Sequence, residues 1–181
     1  MAKRRSTVTP DELTSTGASL LGFLHEGPLS GWDLVAKAEA TIGDFWNITK
    51  SQVYRELETL TAAGLVTQGK MGARARQPYT LTSRGRSAFQ RWLSQEPGPL
   101  LMRWPLALTV FFGRQLGWAK LRPALVSHRQ RHKTIAATLR KLEPTVRAGD
   151  DPYTEAVLRL GIRFHSLVVD WIDSLPDDAK S

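Results

Sequence analysis

Apolar residues recur with a helical period through most of the first sixty positions. The stretch from Pro10 to Glu26 places its leucines near one face and predicts a helix, which the following Gly-Pro ends. A second helix is predicted from Ser30, a suitable N-cap, to about Ala40. The connector TIGDFWNI comes next, and we expect its large aromatic residues to be buried.

A third helix is predicted from Thr49, another suitable N-cap, to the residues before Gly64, which is expected at the position after its end. Val53, Leu57 and Leu60 recur at i, i+4 and i+7 and form one stripe to be buried. The opposite side of this helix is polar and carries Ser51, Arg55, Glu58 and Thr59. The pattern therefore predicts a helix with one buried face and one face in water.

After Gly64 the hydrophobic period changes to two, and residues 65–68 and 78–82 are predicted as two short strands. The loop between them carries Gly69, Lys70, Gly72, Arg74 and Arg76. Pro78 lacks a backbone N–H, so we expect the returning strand to lie at an edge of the sheet. Thr82 or Ser83 then caps a fourth helix that continues to about Leu93.

The segment SQEPGPLLMRWP has three prolines and marks a boundary, beyond which the chain is predicted to be all-helical. A helix at about Leu106 to Leu116 is apolar on several sides and is expected to be well buried. Two heptad-like stripes follow: Leu121, Leu125, His128, His132, Ile135, Leu139 and Leu142, then Tyr153, Val157, Leu160, Phe164, Leu167 and Trp171. Such stripes are typical of helices that pack on one another or on a second subunit.

Three helices, a two-stranded hairpin and a further helix have the order of a winged helix–turn–helix. The predicted fold class is mainly α with a small β-hairpin: an N-terminal winged helix–turn–helix domain at residues 10–95 and an all-helical dimerisation domain at residues 104–176. Residues 1–8 and 176–181 are expected to be mobile ends.

The distribution of charge along the chain indicates which kind of partner this fold binds. The 181 residues carry a formal net charge of +8 with a sequence pI of about 10.2. Between Lys50 and Arg91 there are eight basic residues and two acidic ones. This concentration favours double-stranded DNA as partner over a membrane surface.

The remaining composition excludes other classes of protein. There is no cysteine, which rules out disulfides and thiolate metal sites and is compatible with the cytoplasm. No apolar run reaches about 18 residues, so no membrane span is expected. The motifs of serine hydrolases, P-loop enzymes, zinc proteases and dinucleotide-binding enzymes are absent, and we expect neither an enzyme nor a cofactor.

The residues predicted to bind DNA lie on the third helix and on the hairpin: Thr49, Lys50, Ser51, Gln52, Tyr54, Arg55, Lys70, Arg74 and Arg76. The first turn of a helix offers free amides and a positive dipole end to phosphate, and outward side chains reach base edges in the major groove. The alternative is a solvated helix face and a solubilising hairpin tip. For Tyr54, packing beneath the hairpin is an equal alternative.

Three segments, LLGFLHEGPLSGWDL, VYRELETLTAAGLV and PYTLTSRGR, together resemble the PadR family of bacterial transcriptional regulators. The resemblance covers roughly Ser19 to Trp92 and extends more loosely to the helical tail. It implies a homodimeric cytoplasmic repressor that binds an inverted repeat and is often released by a small molecule. It also implies that Ser51 and Tyr54 contact the DNA backbone and that Gly31 is the turn glycine.

Six aromatic residues are candidates for a site of a small aromatic or apolar effector, or for the dimer interface: Trp92, Trp104, Phe111, Trp118, Phe164 and Trp171. His128 and His132 have a spacing compatible with a metal, but no carboxylate or thiol accompanies them, so we favour histidines of a helix seam. The alternative function is a winged helix that binds another protein through its hairpin, because fold alone does not fix function.

Overall fold

A computed structural model describes residues 13–43, 45–71 and 76–176. It divides into two compact units, one ending at Pro99 and the other beginning at Leu100. The first unit contains α1 (Ser15–Phe23), a 3-10 turn (Leu24–Glu26), β1 (Leu29–Ser30), α2 (Gly31–Thr41), α3 (Lys50–Ala62), β2 (Val66–Gln68), β3 (Pro78–Leu81) and α4 (Ser83–Leu93). The second contains α5 (Pro105–Phe111), a 3-10 turn (Gly113–Gln115), α6 (Trp118–Ala148) and α7 (Pro152–Asp173). The predicted fold class is confirmed.

Side-chain caps set where the first helices begin. α1 begins at Ser15 rather than Pro10, because the Thr14 hydroxyl accepts a hydrogen bond from the Gly17 amide at 2.8 Å. The same hydroxyl donates to Glu56 of α3 at 2.9 Å and so ties the start of α1 to α3. The predicted first turn before Leu13 lies outside the described residues, as do residues 177–181 at the other end.

α2 and α3 both begin with a capping box. Ser30 and Asp33 exchange side-chain and backbone hydrogen bonds at the start of α2, and Thr49 and Gln52 do the same at the start of α3. Gly64 follows the end of α3 with φ +68°, a conformation that a glycine adopts without strain. The predicted bounds of both helices are therefore confirmed to within one or two residues.

Leucines and valines of α1, α2 and α3 form much of the core of the first unit, and the stripe of Val53, Leu57 and Leu60 is buried as predicted. The prediction for the aromatic connector was wrong. Phe45 is 62 % exposed and Trp46 is 39 % exposed. The two isoleucines of the connector are the ones that reach the core: Ile48 is buried in it and Ile42 packs against it, while leucines of α2 and α3 fill the space between those helices.

The sheet has three strands rather than two, in the order β1-β3-β2, and both pairings are antiparallel. The returning strand β3 is therefore central, and the prediction that Pro78 makes it an edge was wrong. Pro78 is the first residue of β3, where its missing N–H interrupts little of the ladder, and it lies opposite Ser30 of the two-residue β1. β1 was missed because two residues are too few to show alternation.

In the second unit, α5, α6 and α7 enclose a small core of Leu106, Leu121, Leu125, Val168 and Ile172. The predicted deep burial of the 106–116 helix was wrong. The helix ends at Phe111, and of its residues Leu106 is the one that is buried. Seven residues make two turns, so only one side chain per turn can face α6.

α7 has two apolar faces, and this was not foreseen. The face that packs on α6 contains His165, Val168 and Ile172, whereas most of the predicted stripe before Trp171 is exposed. Leu160 is 65 % exposed and Leu167 is 63 % exposed. Between them, the ring centre of Phe164 lies 6.3 Å from that of His132 on α6, so both alternatives for this stripe stay open. None of the described helices is long and apolar enough to cross a membrane.

Candidate nucleic-acid interface

The N-terminal turn of α3 presents several of the predicted contacts to solvent. Thr49 caps the helix, and the side chains of Lys50, Ser51 and Arg55 are exposed. The unpaired amides of a first helical turn and its dipole favour an anion at this end. The turn therefore combines backbone donors with two cationic side chains on one surface.

Gln52 has a structural role here as well. Its side-chain oxygen accepts hydrogen bonds from the Thr49 amide at 2.8 Å and from the Thr49 hydroxyl at 2.9 Å. The Gln52 amide donates in return to the Thr49 hydroxyl at 3.3 Å. The capping box holds this side chain against the helix start, and its contact with DNA stays a prediction.

Tyr54 packs on Gly31, the first residue of α2. A Cβ at position 31 would lie 2.7 Å from Cε1 and 2.9 Å from Cζ of the Tyr54 ring, so the close approach requires glycine. Tyr54 nevertheless keeps 38 % of its surface exposed, and the Lys50 ammonium lies 6.0 Å from its ring centre. The ring thus packs on α2 and retains a surface for a ligand.

Arg76 lies against the start of α2 rather than extending freely from the hairpin. Its Nη1 atom is 3.4 Å from Oδ1 of Asp33, and its guanidinium lies 4.7 Å from the ring centre of Trp32. The Ser30 hydroxyl donates to Asp33 at 2.6 Å and lowers the pKa of that carboxyl; burial acts against this shift, and the charge of Arg76 adds to it. Arg74 lies outside the described residues, and Lys70 is exposed just after β2.

These side chains surround a shallow pocket of about 380 Å³ between α2, α3 and β3. Its lining is Ser30, Gly31, Trp32, Tyr54, Arg76, Gln77 and Tyr79. At its base, Gln68 donates to the Tyr79 hydroxyl and to the Gln77 side chain, both at 3.0 Å. These bonds hold the facing ends of β2 and β3 together.

The sequence did not reveal Trp32, Asp33 and Gln77 as parts of this surface. The signal for Asp33 was present, because Ser30 and Asp33 have the spacing of a capping box. Trp32 is exposed although tryptophan is costly to leave in water, which is itself a sign of a binding surface. Nothing in the pattern around Gln77 marks it.

The predicted aromatic candidates do not form one cluster. Trp104, Trp118 and Trp171 pack on the core of the second unit, with the ring centres of Trp104 and Trp171 5.0 Å apart. Phe111 is exposed beside Phe112, and the ring centre of Phe164 on α7 lies 6.3 Å from that of His132 on α6. Trp92 belongs to the first unit, at the end of α4.

His132 connects α6 and α7, as expected of a seam histidine. Its Nδ1 atom lies 2.8 Å from Nδ1 of His165, which is buried on α7. His128 is partly buried one turn away. Within residues 13–43, 45–71 and 76–176, no group of three or more His, Cys, Asp or Glu side chains could hold a metal ion.

The helix–turn–helix, the adjoining three-stranded sheet and the basic start of α3 define a winged helix–turn–helix protein. Residues 20–91 match the transcriptional regulator PadR-like family, and residues 102–176 match the C-terminal region of virulence activator alpha. The first unit therefore carries a PadR-like winged helix–turn–helix domain.

Two curated relatives show how far the similarity extends. The negative transcriptional regulator PadR of Bacillus subtilis is 33 % identical over 100 residues, covering 52 % of this chain and 54 % of that protein. The chain thus matches about half the length of this relative. The "Probable transcriptional regulator Rv1176c" of Mycobacterium tuberculosis is 26 % identical over 179 residues, covering 88 % of this chain and 94 % of that protein.

Solved structures of Bacillus subtilis PadR share the fold. PadR in complex with operator DNA superposes with a TM-score of 0.78 at 24 % identity, covering 90 % of this chain and 96 % of that chain. PadR in complex with p-coumaric acid gives 0.69 at 26 % identity, covering 87 % and 94 % of the two chains.

Proposed function

We propose that this protein is a homodimeric transcriptional repressor that binds an operator in duplex DNA and is released by a small aromatic effector. One observation carries the proposal. The exposed Lys50, Ser51 and Arg55 of α3 adjoin a surface made of Tyr54 and Arg76, and Lys70 stands exposed on the wing.

In this proposal α3 enters the major groove, where Arg55 reaches base edges and the first helical turn holds a phosphate. Tyr54 donates its hydroxyl to the DNA backbone, and Gly31 positions its ring. Lys70 neutralises phosphates beside the groove without regard to sequence. The DNA-binding roles of Thr49, Gln52, Arg74 and Arg76 belong to the same proposal.

Specific binding requires two such units, because one short helix buries too little surface for an operator to be distinguished from other DNA. The outward apolar face of α7, defined by Val157, Leu160, Phe164 and Leu167, supplies a surface on which a second copy packs. All four of these side chains are exposed in the single chain. An apolar stripe of this length is rarely left in water. A repressor of this kind acts in the cytoplasm.

Bacillus subtilis PadR has been solved with p-coumaric acid, which supports a small aromatic effector for this chain too. An effector releases DNA only if it binds one arrangement of the dimer more tightly than the other.

The test is fluorescence anisotropy with a labelled duplex from the promoter next to the protein's own gene and a scrambled duplex of equal length. We expect a clear preference for the promoter fragment and a steep loss of affinity between 50 mM and 200 mM salt for both duplexes, on the order of 10³-fold for six phosphate contacts. Arg55→Ala should remove much of the preference, whereas Lys141→Ala, which removes an exposed cation of α6, is a matched control. Failure to retain either duplex at 50 mM salt would instead indicate a protein-interaction module.

A further inference from the structure

A second pocket of about 610 Å³ lies in the first unit, away from the residues assigned to DNA. It is bordered by α1, by the connector after α2, by α4 and by the residues that follow α4. Its lining is Ser15, Ser19, Ile42, Phe45, Trp46, Phe89, Trp92, Leu93, Gln95, Glu96, Pro97 and Gly98. The volume is in the range of sites that hold small molecules.

Flat aromatic side chains form the walls of this pocket. Phe45 and Trp46 are the connector residues that stay exposed instead of entering the core. On the opposite side, the ring planes of Phe89 and Trp92 are within 9° of parallel, with centres 6.4 Å apart. Four aromatic side chains around one open cavity are an unusual use of residues that are favoured in cores, and they suit a flat ligand.

The charge of the pocket is opposite to that of the chain. Among the described residues that line it, Glu96 is the one charged side chain, although the whole sequence carries +8. Ring faces are electron-rich and attract cations, and a carboxylate adds to this attraction. The ring faces and the carboxylate of Glu96 would both repel an anionic ligand.

We propose that this pocket binds a planar aromatic cation, held between the aromatic walls with its positive charge toward Glu96. This inference rests on the proposed function, because it makes such a cation the effector of the repressor. The connector carries Phe45 and Trp46 into the start of α3 within a few residues, and Thr49 caps that helix. A ligand against these rings therefore acts on the segment that sets the position of the recognition helix.

The experiment is isothermal titration calorimetry of the full chain with three bicyclic probes of similar size. They are N-methylquinolinium as the cation, quinoline as the neutral ring and 2-naphthoate as the anion, all at pH 7.5. We expect affinity to fall in that order. Equal affinity of the cation and the anion, or no measurable heat with the cation, would overturn the inference.

Variants locate the site. Glu96→Gln should weaken the cation about fivefold or more and leave quinoline unchanged, since one cation–carboxylate contact at such a site contributes about 1 kcal/mol. Trp92→Ala should weaken the binding of the cation and of quinoline by at least about tenfold.

Glu58→Gln, which removes an exposed carboxylate of α3, is the matched control and should bind like wild type. Circular dichroism melting separates loss of the site from loss of the fold, and Trp92→Phe should retain most of the binding. Unchanged cation affinity in Glu96→Gln and in a folded Trp92→Ala would refute the site.

The DNA assay distinguishes this failure from failure of the repressor itself. Promoter binding without cation binding would leave the proposed function standing and overturn the pocket. Cation binding to a protein that prefers no duplex would support the pocket and contradict the repressor.

Discussion

Gly31→Ala should separate DNA binding from stability, because the three atoms nearest to the added methyl group all belong to the side chain of Tyr54. The new Cβ would lie 2.7 Å from Cε1 of Tyr54, where ordinary carbon contacts are about 3.5–4.0 Å. The ring must therefore withdraw by about 1 Å. Tyr54 is partly exposed and can move outward, so the overpacking cost should be near the lower end of the usual ~1–3 kcal/mol. The lower chain entropy of alanine offsets about 0.4–1 kcal/mol of this cost.

The loss in DNA affinity should be larger than the loss in stability. If each Tyr54 hydroxyl contributes about 1 kcal/mol through one backbone contact, a dimer loses about 2 kcal/mol, or roughly 30-fold in Kd. Anisotropy with the promoter duplex measures this, and thermal melting measures stability. Gly98→Ala, which meets nothing within 4 Å, is the silent control. Gly85→Ala is the opposite control: its Cβ would lie 2.1 Å from the Leu65 carbonyl oxygen, a backbone atom, so it should prevent folding.

A double-mutant cycle decides whether Tyr54 is the cause. In a Tyr54→Ala background, Gly31→Ala should have no further effect on promoter affinity, because the clashing ring is gone. If the two losses simply add, or if Gly31→Ala binds the promoter like wild type, the argument that Gly31 acts by positioning Tyr54 is refuted.

Three further predictions concern charge, assembly and acid. Lys70→Ala should weaken promoter and scrambled duplex equally and reduce the salt slope by about 0.9 per protomer; an unchanged slope would remove Lys70 from the phosphate contacts. Leu160→Asp combined with Leu167→Asp should give a monomer in size-exclusion chromatography with light scattering, whereas Lys141→Asp on the exposed side of α6 should not. A double variant that remains dimeric would place the interface elsewhere. The pKa of Asp33 is lowered in the folded chain, so its negative charge stabilises the fold at pH values above the unfolded pKa of about 3.9. This stabilisation is lost as the pH falls through the lower pKa of the folded state. Melting temperature should therefore depend less on pH between 2.5 and 5 in Asp33→Asn than in wild type, and identical acid profiles would contradict the role of this carboxyl.

How much could be predicted from the sequence depended on whether a local rule settled the outcome. α3 was predicted with its cap, buried stripe and end because Thr49, Leu57 and Gly64 each satisfy a local requirement of a helix. The position of β3 was missed because a strand becomes central through its pairing with a distant segment, here the two residues of β1. Phe45 was misplaced because hydrophobicity indicates what prefers to be buried, not whether the core has room.

In the candidate site, too, local sequence patterns predicted some features, whereas contacts between distant segments determined the others. The charges of Lys50 and Arg55 and their helical spacing were visible in the chain, and the structure shows both side chains exposed. The packing of Tyr54 on Gly31, and of Arg76 on Trp32, joins segments 20 to 45 residues apart. Such contacts have no periodic signal.

If Arg76 contacts DNA as proposed, its ion pair with Asp33 has a consequence for how the protein discriminates among DNA molecules. The Asp33 carboxylate occupies Arg76 in the way that a phosphate would, so the arginine exchanges one anion for another instead of gaining a new one. At an arbitrary stretch of duplex this exchange is nearly neutral. The contact adds affinity only where the groove geometry lets Arg76 bind DNA more tightly than it binds Asp33. Competition from Asp33 therefore makes the difference in affinity between operator and background DNA larger than the number of positive charges would suggest.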